Sequence, residues 1–143
     1  MQNAYLIKVS SGLYDVRRPS PSNLRQIELT FDHSTPYIRP FIGLLGTGLE
    51  DYYVFVGNSF QQTIVGHIFF DLNFAAGFYS HGRGIGLGYP LQFRSGIGLG
   101  WQWSDGVQLT ATLFHLSNAG FSDSNPGLES VILSYSFLIP KFN

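Results

Sequence analysis

The sequence predicts an all-β chain whose eight antiparallel strands close into a transmembrane β-barrel. Three observations predict it. Charged residues make up 12% of the 143 residues, about half of the ~25% usual in soluble domains, although a small soluble domain has much surface to cover with polar groups. No stretch approaches the ~18 consecutive apolar residues that a membrane-crossing helix needs. Apolar and polar residues instead alternate along short segments separated by turn formers, as in strands with one apolar and one polar face. A closed sheet leaves no unpaired edge, which a bilayer requires. The length fits a single domain over 1–143.

The elements follow in order. The first segment, 4–15, carries Lys8 on its polar face and runs towards Arg18-Pro-Ser-Pro-Ser22. In the second, 23–32, Ile27, Leu29 and Phe31 oppose Gln26, Glu28 and Thr30, and Asp32-His-Ser-Thr-Pro36 ends it. The third, 37–46, places Arg39 on the polar face. The fourth, 50–57, is expected to end at a turn over Gly57-Asn-Ser59. A long fifth segment, 62–80, carries Asp71 inwards and stops at His81-Gly-Arg-Gly84. In the sixth, 87–103, Leu91, Phe93, Ile97, Leu99, Trp101 and Trp103 share one face, and Gln92, Arg94 and Gln102 share the other. The seventh, 106–117, sets Val107, Leu109, Ala111, Leu113, His115 and Ser117 against Gln108, Thr110, Thr112, Phe114 and Leu116. In the eighth, 128–140, Glu129, Val131, Leu133, Tyr135, Phe137 and Ile139 oppose Ser130, Ser134 and Ser136.

A water-soluble barrel would turn the apolar face inwards, and a membrane barrel turns it out. Lys8, Glu28, Arg39, Asp71 and Arg94 come from five strands and can neutralise one another only inside a shared lumen. Trp101 and Trp103 lie beside the turn at 104–106 and suit an interfacial aromatic girdle. The membrane orientation is therefore expected, with a lipocalin-like soluble barrel as the competing arrangement. An eight-strand lumen filled by side chains is too narrow for a channel.

Composition excludes several functions. The chain has no cysteine, so disulfide scaffolds, cysteine zinc sites and thiol nucleophiles are out. The formal net charge of −1 gives no broad basic face for nucleic acid. Met1 to Lys8 lacks the basic and apolar regions of an export signal. For an exported barrel, the expectation is that a signal has been removed and that Met1 is not native.

His115 and Ser117 share the apolar face of the seventh strand near its end. Residues i and i+2 of a strand lie about 6.6 Å apart along the chain and point the same way. Glu129 begins the eighth strand on the same face, and a hairpin would bring it beside His115. These are the residue types of a triad: a hydroxyl nucleophile, an imidazole base and a carboxylate that orients it. The competing reading is three polar side chains at headgroup level. Gly-x-Ser-x-Gly is absent around Ser117, so an α/β-hydrolase is not expected.

Phe114-His-Leu-Ser-Asn-Ala-Gly120, followed by Asn125-Pro-Gly-Leu-Glu-Ser130, resembles the signature of the lipid A 3-O-deacylase family of Gram-negative outer membranes. Ile38-Arg-Pro-Phe-Ile-Gly43, Phe74-Ala-Ala-Gly-Phe-Tyr79 and Leu91-Gln-Phe-Arg-Ser-Gly-Ile97 extend the resemblance over about 37–140. It implies a multi-pass barrel of the bacterial outer membrane that hydrolyses the 3-O-linked acyl chain of lipid A, with no metal or cofactor. Ser117 matches the nucleophile, His115 the base and Glu129 the acid member. Asn125 and the backbone around Gly120 match the oxyanion donors, and Asn118 has either a loop-holding or a site role. The implied partners are lipopolysaccharide and outer-membrane lipid, with a homodimer left open. The alternative is a non-enzymatic structural or adhesive barrel.

Weaker signals remain. Arg17, Arg18 and Arg83 lie in loops on the Ser117 rim, where they meet either lipid A phosphates or only water. Gly82-Arg-Gly-Ile-Gly-Leu-Gly88 has no following helix and reads as a loop rather than a phosphate cradle. His67 and His81 have no partner legible in the sequence, and His33 sits at the opposite rim.

Overall fold

A computed structural model describes residues 4–17, 21–83, 86–123 and 127–141. Eight strands run in order: β1 (Ala4–Tyr14), β2 (Ser22–Thr30), β3 (Arg39–Thr47), β4 (Tyr52–Val65), β5 (Ile68–Ser80), β6 (Leu91–Gln102), β7 (Gln108–Ser117) and β8 (Leu128–Pro140). Each pairs antiparallel with its sequence neighbour, and β1 pairs with β8 to close the barrel. The described residues of the β1–β2, β3–β4, β5–β6 and β7–β8 connections share one rim. Those at 31–38, 66–67 and 103–107 share the other.

The fourth and fifth strands differ from the sequence expectation. Gly57-Asn-Ser59 is not a turn but the middle of β4, paired with Ala75, Phe74 and Asn73. Glycine is needed there for close approach. A Cβ on Gly57 would lie 2.2 Å from the Phe74 carbonyl oxygen and 2.8 Å from the Ala75 Cα. The chain reverses instead at Gly66, whose φ of 56° lies in the left-handed region that glycine adopts without strain. The expected long fifth segment is thus the end of β4, a tight turn and β5.

The two faces sort as expected. Glu28, Arg39, Asp71 and Arg94 are buried in the lumen, whereas Ile97, Leu99, Leu109 and Leu133 are exposed on the outside. Trp101 and Trp103 are also exposed. The apolar residues therefore face lipid and the polar ones face inwards, the membrane arrangement. Among charged strand residues only Arg25 and Glu129 face out; Lys8 joins the other four inside.

A linked set of side chains fills the lumen. Arg94 donates to Gln26 Oε1 at 2.6 Å and to Glu28 Oε1 at 2.7 Å. Lys8 Nζ stands 3.5 Å from the other Glu28 oxygen. The Arg94 guanidinium lies 4.2 Å from the Phe55 ring centroid and 5.1 Å from that of Phe114. Buried charge is costly unless paired and hydrogen-bonded, and here the ion pair and the aromatic faces together compensate Arg94. Phe114 immediately precedes His115, so this packing also fixes the backbone that carries the imidazole outwards.

Removing one partner of a buried pair typically costs about 3–5 kcal/mol. Arg94→Ala is expected near the lower end of that range, because Lys8 remains beside Glu28. A urea titration read by heat-modifiable gel mobility should show a clear fall in midpoint for Arg94→Ala and a much smaller one for lipid-facing Leu133→Ala. Equal shifts would contradict the assignment of the two faces.

Candidate active site

Register sets the site. In the β7–β8 hairpin His115 stands directly opposite Glu129, and on the other side it stands opposite Ser95 of β6. Ser117 lies two residues further along β7, opposite Phe93. Odd-numbered residues of β7 and β8 face out, so His115, Ser117 and Glu129 emerge on one external patch at one rim.

His115 Nδ1 lies 2.9 Å from Glu129 Oε1. A carboxylate can only accept, so Nδ1 carries the hydrogen and Nε2 is the basic nitrogen. The imidazole is 44% exposed and the Glu129 side chain 28%, so both remain open to the surroundings. The second Glu129 oxygen forms an ion pair with Arg17 Nε. The structure thus joins the carboxylate to the imidazole on the face that also carries Ser117. Such a pair can accept a proton from a hydroxyl and stabilise the resulting imidazolium.

Residues 117–120 fold tightly at the end of β7. Ser117 Oγ accepts from the Ala119 amide at 3.0 Å. Asn118 is fully buried; its Nδ2 donates to the Leu87 carbonyl at 3.2 Å, and its Oδ1 accepts from the Gly120 amide at 3.0 Å. Asn118 therefore ties this connection to the 81–90 loop, and the Gly120 amide is engaged in that brace. Asn125 lies outside the described residues, as does Arg18. Arg83 donates to the Gly48 carbonyl at 3.1 Å and lies 3.7 Å from Glu50, so it links two loops of this rim. His67 and His33 sit at the opposite rim; His67 Nδ1 lies 2.7 Å from the Gln102 carbonyl oxygen, with its ring stacked on Trp101.

Two neighbours of the patch escaped the sequence reading. One is Arg17, for which the sequence offers only phosphate or water as partners. The other is Gly127, whose Cβ, if present, would lie 2.9 Å from His115 Cε1. Its φ of 65° and its place just before β8 are the signals that mark it. Beside Ser117 runs an aromatic row: Phe74 against Phe93, Phe93 against Phe121, and Phe121 against Tyr89, with ring centroids 5.9–6.2 Å apart.

An external groove of about 320 Å³ runs past His115 and Glu129, lined also by Ser95, Ile97 and Leu113. It shares Ile97 and Leu113 with a larger apolar groove of about 650 Å³, whose other walls include Leu72, Leu99, Ala111 and Val131. The two form one apolar path down the outside of the barrel from the polar patch.

The crystal structure of the outer membrane enzyme PagL is similar to this barrel, with a TM-score of 0.77 at 21% identity over 94% of this chain and 99% of that one. A de novo designed transmembrane β-barrel gives a TM-score of 0.70 at 10% identity, over 97% of this chain and 98% of its own. At these identities both describe the fold alone, and a fold does not by itself imply a function. No curated protein sequence matches the chain. A family model described as lipid A 3-O-deacylase (PagL) matches residues 18–137, a span that includes His115, Ser117 and Glu129, and the chain belongs to that family.

Proposed function

We propose that this protein is an outer-membrane esterase that removes the 3-O-linked acyl chain of lipid A by a Ser117–His115–Glu129 mechanism. The observation that carries the reading is the 2.9 Å contact between His115 and Glu129 on an outward, lipid-level face that also bears Ser117. A catalytic group on the outside of a barrel is useful only if the substrate arrives through the membrane. Lipid A diffusing laterally presents its ester at the rim, with the acyl chain lying along Leu113 and Val131 in the apolar path.

The chemistry follows from the proton inventory. Ser117 Oγ attacks the ester carbonyl carbon while its proton passes to His115 Nε2. Glu129, holding Nδ1, stabilises the imidazolium. The carbonyl oxygen becomes an oxyanion that backbone or amide donors must meet in the transition state. The bond to the sugar 3-oxygen then breaks, and that oxygen takes the proton from His115. Water attacks the acyl-enzyme with the same base, releasing the fatty acid and restoring Ser117. Asn125 and the backbone near Gly120 are the proposed donors, whereas Asn118, buried with its amide on the Leu87 carbonyl, holds the loop. In the resting state the Gly120 amide is bonded to Asn118, so Asn125 and the loop backbone carry most of this role.

Acyl release from lipopolysaccharide in detergent micelles tests the reading. Ser117→Ala and His115→Ala should abolish turnover while heat-modifiable gel mobility stays as in wild type, because both side chains lie outside the core. Full activity in either variant contradicts the triad, and a wild-type protein that releases no acyl chain leaves a structural or adhesive barrel.

General-base catalysis contributes about 10²–10⁴-fold. Glu129→Ala should lose a good part of that factor but remain measurably active, since water at the rim partly replaces the carboxylate. A Glu129→Ala protein as fast as wild type would contradict the assigned roles.

A further inference from the structure

We propose that Arg17 is a positioning residue for the esterase: it holds the second carboxylate oxygen of Glu129 and so keeps the first on His115. The proposal rests on the Ser–His–Glu reading above and adds a residue to it.

Three contacts bring Arg17 to its place. The chain leaves β1 at Asp15 with a φ of 61°, a left-handed turn that aspartate tolerates better than most residues. The Asp15 amide donates to Ser130 Oγ at 3.2 Å, and the Val16 amide donates to the Glu129 carbonyl at 2.9 Å. The loop is thus fastened to the first residues of β8. The next residue, Arg17, ion-pairs Glu129 Oε2 through Nε. Glu129 is divided between two partners, His115 on Oε1 and Arg17 on Oε2.

This division has a physical use. Glu129 sits at the start of a strand, only partly covered, on a side chain with three rotatable bonds. Left with one partner it loses rotamer entropy for a single contact and spends time facing water. A second charged partner on the far oxygen fixes the carboxylate plane and leaves Oε1 on the imidazole. Arg17 touches no reacting atom, so it acts through Glu129. Its side chain is 63% exposed, which keeps the effect modest.

The test is steady-state kinetics on lipid A in detergent micelles for wild type, Arg17→Gln, Arg17→Lys, Glu129→Ala and the Arg17→Gln/Glu129→Ala double variant, each checked for folding by gel mobility. Arg17→Gln should lower kcat roughly three- to fivefold, the scale of a partly exposed ion pair, at unchanged KM. Arg17→Lys should recover part of the loss. In the Glu129→Ala background Arg17→Gln should change kcat by less than about twofold, because the group it acts through is gone. Three results would overturn the proposal: an unchanged kcat, an equal fall in kcat in both backgrounds, or a rise in KM in both backgrounds. The last would make Arg17 a contact for the substrate. If Ser117→Ala is inactive while Arg17→Gln keeps full kcat, only this proposal falls. If Ser117→Ala keeps turnover, the triad and the proposal fall together.

Discussion

Closure of the backbone hydrogen-bond ladder is the constraint on which the rest depends. A bilayer offers no water to unpaired amides and carbonyls, so every strand must find two neighbours. In this chain that requirement is met by pairing β1 with β8, which locks register around the ring. Once register is fixed, the two-residue period of each strand decides which side chains meet lipid and which meet the lumen. The Arg94–Glu28 pair and the external His115–Glu129 pair are consequences of the same geometry on opposite faces of the wall.

The faces support one another across that wall. Phe114 turns inwards against Arg94 while its neighbour His115 turns outwards to Glu129. A site on a thin, single-layer sheet has no deep core beneath it, so its precision comes from the lumen packing and from the rim loops. Asn118 braces one loop and the Asp15–Arg17 segment braces another. This explains how the partly exposed His115–Glu129 pair can be held on the outside of a barrel.

Much of this was legible in the sequence because both the strand period and the hairpin rule are local. Alternation in 106–117 and 128–140 put His115, Ser117 and Glu129 on one face, and a hairpin between these segments implies the pairing found in the structure. The β4–β5 boundary was not legible. Gly57-Asn-Ser59 has the composition of a turn, yet its glycine serves close approach to the neighbouring backbone. Gly66, flanked by Val65 and His67, gave no composition change to mark the true reversal. The Arg17–Glu129 contact was invisible for a different reason: it joins a loop to a strand 112 positions away (129 minus 17), and no periodicity reports such a contact. Gly127 lies inside the Asn125-to-Ser130 motif, but its approach to His115 depends on its dihedral, which the sequence does not print.

The central claim is that a nucleophile works from the lipid-facing surface. The direct measurement is covalent labelling with a long-chain alkyl fluorophosphonate dissolved in outer-membrane-lipid vesicles containing the barrel, followed by peptide mass spectrometry. The account predicts one adduct, on Ser117, that His115→Ala removes. An adduct on another serine, or labelling of Ser117 unchanged by His115→Ala, would contradict it.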